Sequence, residues 1–315
     1  MSHGADRRPF ALAALLVAAA FLCLAPAAPA GQANLLVVVS HDLDAYEDII
    51  AGLRAQMGGL RSDARFTLLR LRGDEGRAER AMEAMRKERA SLVFTIGTLA
   101  TRAVLREVRD TPVIACGVMG RDGVDGAPNA ADVAIEIPVA TQFRYLRDIL
   151  PEARRVGVIY NPEENEATVK EARRTARDMG LQLVEFPASQ PQDLPMALQG
   201  LANRVDVFWA LPDSLVFSPQ TAREILLFTF RNRIPFVGLS SPWVKAGALY
   251  ALEWDYFDLG GRCAGLAARV MGGEPVASLS PGPPGRVLYS INLKTAEHLK
   301  LDIPRKVLDG AHSVY

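Results

Sequence analysis

The sequence predicts an α/β fold built on parallel sheets. Short apolar runs alternate along the chain with longer stretches in which apolar residues recur every three or four positions. The first pattern is typical of fully buried strands and the second of amphipathic helices. Parallel strands need crossover connections, and helical crossovers cover both faces of the sheet. Because the alternation ends near Pro138 and then starts again, we expect two doubly wound lobes.

The first half contains four runs that predict strands, and a helical pattern follows each of the first three. The four runs are LLVVVS (35–40), FTLLRL (66–71), SLVFTI (91–96) and PVIACGV (112–118). The stretch after the fourth run, MGRDGVDGAPNAAD (119–132), has no regular pattern and is interpreted as a loop.

The second half shows the same alternation of strand and helix patterns, and the last part of the chain differs from it. Its strand runs are RVGVIY (155–160), LQLVEF (181–186), VDVFWA (205–210) and PFVGL (235–239). The tail predicts a strand over 247–254, a helix over 255–273, a strand over 286–291 and a short helix over 292–300. Asp255 and Asn292 stand where a side chain caps the first turn of a helix.

Composition and charge exclude several classes of function. The 315 residues include 36 Lys plus Arg and 36 Asp plus Glu, so the net charge is zero and no basic surplus favours nucleic acid. The 4 His have no ligand spacing. We therefore expect no metal site, and nothing in the chain implies a cofactor.

Residues 1–30 have the pattern of an export signal. Arg7 and Arg8 precede an apolar run, and Ala28 to Ala30 supply the small residues that a signal peptidase needs. We expect cleavage near Ala30, a periplasmic location and a soluble mature protein. The Arg-Arg-Pro-Phe sequence also resembles part of a twin-arginine signal, which leaves two export routes open.

Two cysteines remain after such a cleavage, Cys116 and Cys263. An oxidising compartment permits a disulfide between them. Both stand in apolar contexts, one at the end of a strand and one inside a helix, and this favours two buried free thiols.

Polar residues follow the predicted strands, where the ligand crevice of an open parallel sheet lies. The candidate ligand-binding residues are Ser40, Thr98, Asn161, Asn165, Asp213, Ser214, Ser241 and Glu253. Any one of these polar groups also fits ordinary turn chemistry. Their convergence at strand ends is what favours a binding site. No catalytic arrangement of Ser, Cys, His and Asp accompanies them.

Three of these residues suggest specific partners on a ligand. Thr98, after Gly97 at a helix start, suits a carboxylate, although it also fits a helix cap. A ligand amine needs a carboxylate opposite it, which Asp213 or Glu253 supplies. Asp213 fits a plain cap equally well.

Aromatic residues near the strand ends are candidates for the wall of a pocket. They are Tyr160, Trp209, Trp243 and Trp254. Tyr160 and Trp209 lie within predicted strands, and this favours a place in the core.

Four separated motifs carry a family resemblance. They are IYNPEENEATVKEARRTARDMGLQL (159–183), ALPDSLV (210–216), the run 234–275 that contains GLSSPWVKAGALYALEWDYFDLGGR, and INLKTAEHLKLDIP (291–304). In this order they resemble the substrate-binding proteins of ABC importers, in the subgroup of tryptophan- and tyrosine-type binders. The likeness is dense from about Pro138 to Ile303 and includes the IGT-x-A element at 96–100.

The resemblance implies a type I periplasmic-binding fold with three hinge crossings. Lobe 1 would comprise residues 31–138 plus about 255–285, and lobe 2 would comprise residues 139–254 plus about 286–315. The resemblance thins at presumed ligand-facing turns, where this chain has Met119, Glu166 and Glu253. The ligand of the relatives is therefore not carried over.

The function that the resemblance implies is capture of a small molecule, such as an amino acid, for delivery to an ABC permease in the inner membrane. We expect a monomer without catalytic activity. Two alternatives stay open, a periplasmic sensor that docks to a membrane receptor and a hydrolase.

Overall fold

The computed structural model describes residue 1 and residues 33–60, 63–74, 76–118, 124, 126–218, 220–279 and 285–315. The signal over residues 1–30 and the departure at Met119 therefore lie outside the described residues, apart from residue 1. Within the described part, no helix is long and apolar enough to cross a bilayer.

The first sheet has five parallel strands in the order β2-β1-β3-β4-β5. They are β1 (Asn34–Val39), β2 (Arg65–Arg70), β3 (Leu92–Ile96), β4 (Val113–Val118) and β5 (Ala130–Ala134). The connecting helices are α1 (Asp44–Leu60), α2 (Gly76–Glu88) and α3 (Thr98–Glu107).

The first four strands match the sequence prediction within one residue. The loop interpretation of 119–132 was wrong at its end, where β5 begins. The Ala and Asp residues of this edge strand have low β propensity.

The second sheet has seven strands in the order β12-β11-β10-β9-β8-β6-β7. They are β6 (Arg155–Tyr160), β7 (Gln182–Pro187), β8 (Val207–Trp209), β9 (Phe236–Gly238), β10 (Tyr250–Trp254), β11 (Val287–Ile291) and β12 (Ser313–Val314). β11 runs antiparallel to β10, so this sheet is mixed, whereas the sequence predicted parallel strands throughout. The chain leaves the second sheet at the carboxyl end of β10, forms a helix on the first sheet and returns at the same end. β11 therefore runs in the opposite direction to β10.

Helices connect the strands of the second sheet and follow it. They are α4 (Val139–Ile149), α5 (Pro162–Asp178), α6 (Leu194–Leu201), α7 (Ala222–Arg231), α8 (Ser241–Ala246), α9 (Tyr256–Met271), α10 (Leu293–Leu299) and α11 (Arg305–Asp309). The predicted caps are confirmed, because Asp255 accepts a hydrogen bond from Asp258 N and Asn292 accepts one from Thr295 N.

Each sheet is covered on both faces, as a doubly wound fold requires. Along β1, Leu35 and Val37 point into one hydrophobic cluster, and Leu36 and Val38 point into another. The second sheet divides its buried side chains in the same way between two clusters. The α/β class with parallel-strand sheets is thus confirmed.

Helix α9 packs against the first sheet, although it follows a strand of the second. Its Leu259 and Ala264 belong to the cluster that contains Leu35. The contact with α1 is made backbone to backbone, because a Cβ at Gly52 or at Gly260 would overlap the carbonyl oxygen of the facing helix. Glycine at both positions permits this approach.

Cys116 and Cys263 form a disulfide between β4 and α9, with a Cα–Cα distance of 6.2 Å. The expectation of two free thiols was wrong. Each thiol lies in an apolar environment, as the sequence indicated, but the packing of α9 on the first sheet brings the two side chains together. The Cα separation lies within the usual range for a disulfide.

Candidate functional site

The order of the strands locates the crevice. The first sheet has the doubly wound order 2-1-3-4-5, and β6 to β10 repeat it as β7-β6-β8-β9-β10. In such sheets the ligand crevice lies at the carboxyl ends of the two strands where the order reverses. These are β1 and β3 in the first sheet and β6 and β8 in the second. The candidate site is therefore formed by four turns, which begin at Ser40, Gly97, Asn161 and Ala210.

In the first sheet, a hydrogen bond connects the two turns. Ser40 is buried, and its Oγ accepts a hydrogen bond from Ala100 N at 2.9 Å. Gly97 is the N-cap residue of α3, with φ of 86°, and an added Cβ would lie 2.7 Å from Ser40 Oγ and overlap the Tyr46 hydroxyl. Thr98 is thus the first residue of α3 and does not cap it.

The start of α3 keeps two backbone donors for a ligand. Ser40 satisfies the amide of Ala100, but within the described residues the amides of Thr98 and Leu99 have no hydrogen-bond acceptor. The first amides of a helix have no partner within the helix, and its dipole favours an anion there. Thr98 is half-buried beside them. The arrangement suits a carboxylate.

Tyr46 was not among the sequence candidates, although its hydroxyl lies next to Gly97. Tyr46 precedes Ile49 and Ile50 by three and four residues, a spacing that is typical of the buried face of a helix. The observed side chain is half-buried, and burial raises the pKa of its phenol. The signal that could have identified it is its location in the first turn of the helix that follows β1.

In the second sheet, Asn161 and Asn165 lie at the start of α5. Asn161 Oδ1 accepts a hydrogen bond from Glu163 N at 3.1 Å and so caps the helix. Asn165 is buried, and its Nδ2 donates to Pro212 O at 3.0 Å and to Asp213 Oδ2 at 2.9 Å. The turns after β6 and β8 are therefore held together.

Asp213 is the centre of this connection. Its Oδ2 also accepts a hydrogen bond from Asn161 N at 2.6 Å, and its Oδ1 accepts from Leu215 N at 3.1 Å and Val216 N at 2.9 Å. The residue is only 6% exposed. The bonds from Leu215 and Val216 cap a turn at residues 214–216, and no helix begins there, so the predicted helix cap is replaced by a cap on a turn. Four N–H donors occupy this carboxylate.

Ser214 and Glu164 form further hydrogen bonds at the solvent-facing side of the turn that follows β8. The backbone amide of Ser214 donates to Glu164 Oε2 at 2.9 Å, and its hydroxyl donates to Glu164 Oε1. These bonds, the hydroxyl first, lower the pKa of Glu164. Both residues are exposed, so the pair fixes the loop at its surface.

Ser241 and Glu253 lie further along the same edge of the second sheet. The Ser241 hydroxyl donates to Glu253 Oε2, and Ser241 Oγ lies 3.1 Å from Ser290 Oγ. Ser290 is buried, whereas Ser241 and Glu253 are half-buried. The structure thus brings these two predicted residues together. Ser290 was missed because it lies inside a predicted strand.

Three of the four aromatic candidates are buried, and Trp243 is half-buried. Tyr160 and Trp209 are core residues, as the sequence favoured. Trp243 packs edge-on against Phe236, with ring centroids 5.8 Å apart. The Tyr160 hydroxyl donates to Glu166 Oε2 at 3.3 Å, so this departure from the relatives contacts a core side chain. Burial and then the charge of Glu166 raise the pKa of Tyr160.

Trp254 lies where the chain passes between the two sheets. Its Nε1 donates to Ile135 O at 2.6 Å, in the segment between β5 and α4. Asp255 N donates to Arg286 O at 2.9 Å, which joins the passage into α9 to the passage out of it. An added Cβ at Gly285 would lie 3.5 Å from the Trp254 ring. All three passages therefore meet at this side chain.

A cavity of about 280 Å³ lies away from these turns. Its walls include Ala131 and Asp132 of β5 and the segment Val276 to Leu279. None of the predicted site residues contributes to it, so it is not the crevice that the strand order defines.

The comparisons with known proteins agree with this architecture. The family model described as ABC transporter substrate binding protein matches residues 32–315. The chain belongs to this family. A comparison of the chain with curated protein sequences found no match.

Solved structures share the fold of this substrate-binding protein. An ABC domain in complex with L-Trp from Streptococcus pneumoniae has a TM-score of 0.67 and 18% identity, covering 90% of this chain and 100% of the other. The ligand-free, open form of a substrate-binding protein with adhesive properties from Clostridium difficile has a TM-score of 0.77 and 16% identity, covering 90% and 99%. A conserved domain protein from Vibrio cholerae has a TM-score of 0.63 and 23% identity, covering 90% and 100%. At these identities the likeness establishes the fold.

Proposed function

We propose that this protein captures a small molecule, such as an amino acid, in the crevice between its two sheets and delivers it to an ABC importer. The observation that carries the proposal is the duplicated switch point. In each sheet, two polar turns are joined by a hydrogen bond at the position where a doubly wound fold binds its ligand. The family assignment supports the proposal independently.

The chemistry of the turns supports a ligand with a carboxylate. The amides of Thr98 and Leu99 provide donors at the start of α3, and the Thr98 hydroxyl adds a third. Asn161 and Asn165, from the second sheet, hold the facing turns in position through their own hydrogen bonds. The complex of the pneumococcal ABC domain with L-Trp is an example of such a ligand in a protein of the same fold.

The mechanism that we propose is closure about the three passages gathered at Trp254. The ligand first contacts the turns of one sheet, and the other sheet then closes over it. A ligand favours the closed form only to the extent that it binds that form more tightly. The closed form would be the one that the permease recognises. In this proposal the protein performs no catalysis.

We also propose a periplasmic location, reached through the signal at residues 1–30. The pattern of Arg7, Arg8 and the apolar run that follows supports export. The Cys116–Cys263 disulfide supports an oxidising compartment.

The test is mass spectrometry of small molecules released when freshly purified protein is denatured, followed by a thermal-shift screen of amino acids and related metabolites. We expect about one molecule of a single compound per chain. Adding that compound to stripped protein at a concentration of 100 Kd should stabilise it by about 2.7 kcal/mol. A folded protein that releases nothing and responds to no compound would contradict the proposal.

A further inference from the structure

Glu253 differs from Asp213 in what it contacts, although the sequence suggested either residue as the partner of a ligand amine. Asp213 accepts hydrogen bonds from four N–H groups of the protein. Among the described residues, Glu253 accepts a hydrogen bond only from the Ser241 hydroxyl, and no Lys or Arg forms a salt bridge with it. A carboxylate has two oxygens that can accept hydrogen bonds, so Glu253 keeps capacity for a donor on a ligand.

Ser290, Ser241 and Glu253 form a series of hydrogen bonds in which each hydroxyl donates towards the carboxylate. A hydroxyl donates one hydrogen bond. Because Ser241 donates to Glu253 Oε2, Ser290 is the donor in the 3.1 Å contact with Ser241. The two hydroxyls thus orient the Glu253 carboxylate, while no described residue donates to its Oε1.

Glu253 lies near the carboxyl end of β10, directly before Trp254, whose Nε1 donates to Ile135 O in a segment that connects the two sheets. Burial raises the pKa of Tyr256, and the charges of Glu253 and then of Tyr46 raise it further. Tyr46 in turn contacts Gly97 at the switch point of the first sheet. Glu253 is therefore beside the segments that connect the two sheets, at the carboxyl end of the strands where the crevice lies.

We propose that Glu253 receives a positively charged nitrogen of the ligand, and that the protein selects small molecules that carry such a group. This inference rests on the proposed function. The ammonium of an amino acid, a free amine and a quaternary ammonium share the required chemistry. The cationic nitrogen of the ligand forms a charge-assisted hydrogen bond or an ion pair with Glu253.

The experiment compares wild-type protein with Glu253→Gln by calorimetric titration of matched compounds. One set is L-leucine, isoamylamine and 4-methylpentanoate, and a second is L-phenylalanine, phenethylamine and 3-phenylpropanoate. Choline and any molecule released from the purified protein complete the panel. Gln keeps an acceptor for Ser241 and removes the charge. The control is Glu274→Gln, which removes a half-buried carboxylate that pairs with Arg269.

We expect every compound that binds to carry a cationic nitrogen, and we expect Glu253→Gln to weaken binding by roughly 10- to 100-fold. Glu274→Gln should bind like wild type, and thermal unfolding should show that both variants are folded. L-leucine or L-phenylalanine binding without choline would identify an amino acid, and the reverse would identify a quaternary ammonium.

Two results would overturn the inference and leave the proposed function standing. One is wild-type binding of a compound without a cation. The other is unchanged affinity of folded Glu253→Gln for a cationic ligand. If folded wild-type protein neither binds any compound nor releases one, the proposed function fails, and this inference fails with it.

Discussion

At the scale of single residues, the site is held by hydrogen bonds that cross between turns. Asp213 shows this most clearly, because its four donors come from Asn161, Asn165, Leu215 and Val216. The sequence identified Asp213 as a candidate from its position after a strand. It could not reveal how many protein donors converge on the carboxylate, because two of them come from a turn some fifty residues earlier in the chain.

Substitution of Asp213 should therefore act first on stability. Asp213→Ala leaves buried N–H groups without their acceptor, and we expect it to lower the free energy of unfolding by on the order of 2–3 kcal/mol. Urea denaturation measures this effect. Asp193→Ala is the matched control, because Asp193 accepts from the amides of Ser189 and Gln190 at an exposed position.

The control should cost about 0.5–1 kcal/mol, as is usual for an exposed cap. Equal losses in the two variants would show that the buried connection contributes nothing special. A folded Asp213→Ala of full stability that binds no ligand would restore the interpretation of Asp213 as a direct ligand contact.

At the scale of elements, α9 is the helix that most depends on exact packing. Gly52 in α1 and Gly260 in α9 each face a carbonyl oxygen of the other helix. We expect Gly260→Ala to lower the free energy of unfolding by about 1–3 kcal/mol, since the helices must separate to admit the methyl group. Denaturation in urea provides the measurement.

The neighbouring Gly261 gives an unusually close control. It lies in the same helix, and an added Cβ would have nothing within 4 Å. Because alanine is the better helix former, Gly261→Ala should stabilise the protein by about 0.5–1 kcal/mol. Destabilisation by both substitutions would refute the close packing of α1 and α9.

The Cys116–Cys263 disulfide fastens the same helix to β4. It closes a loop with a sequence separation of 147, and such a constraint restricts the unfolded chain. We expect the double variant Cys116→Ala, Cys263→Ala to be less stable than oxidised wild type by about 2–5 kcal/mol. Denaturation of wild type with and without reductant separates the bond from the change in packing.

Alkylation of the unfolded, unreduced mature protein checks the bond itself. No thiol should react before reduction, and both should react afterwards. Two reactive thiols in unreduced protein would support the free thiols that the sequence favoured. The sequence could not decide the question, because the contact depends on α9 returning to the first sheet.

At the scale of the whole molecule, the sequence predicted the architecture well, because fully buried parallel strands leave strong apolar runs. β1 to β4 and β6 are clear for this reason. The edge strand β5 (Ala130–Ala134) and the two-residue β12 (Ser313–Val314) escaped notice because neither carries such a run. The antiparallel course of β11 depends on where the chain re-enters the sheet, which local patterns do not encode.

The site was predictable in outline for the same physical reason. Polar residues at the ends of buried strands stand out, and Ser40, Thr98, Asn161 and Asn165 were predicted as candidates in this way. Tyr46 and Ser290 were not, because each belongs to a helix or strand whose apolar pattern conceals a polar contact. Contacts between distant elements decide which of the candidates remain available to a ligand.

The proposed function requires that the two sheets enclose one small molecule. The most direct measurement is small-angle X-ray scattering of stripped protein, with and without the compound that it retains on purification. We predict a smaller radius of gyration when the compound saturates the protein, and the same value as in its absence when an inert analogue replaces it. An unchanged radius of gyration at proven saturation would contradict closure of the two sheets around the ligand.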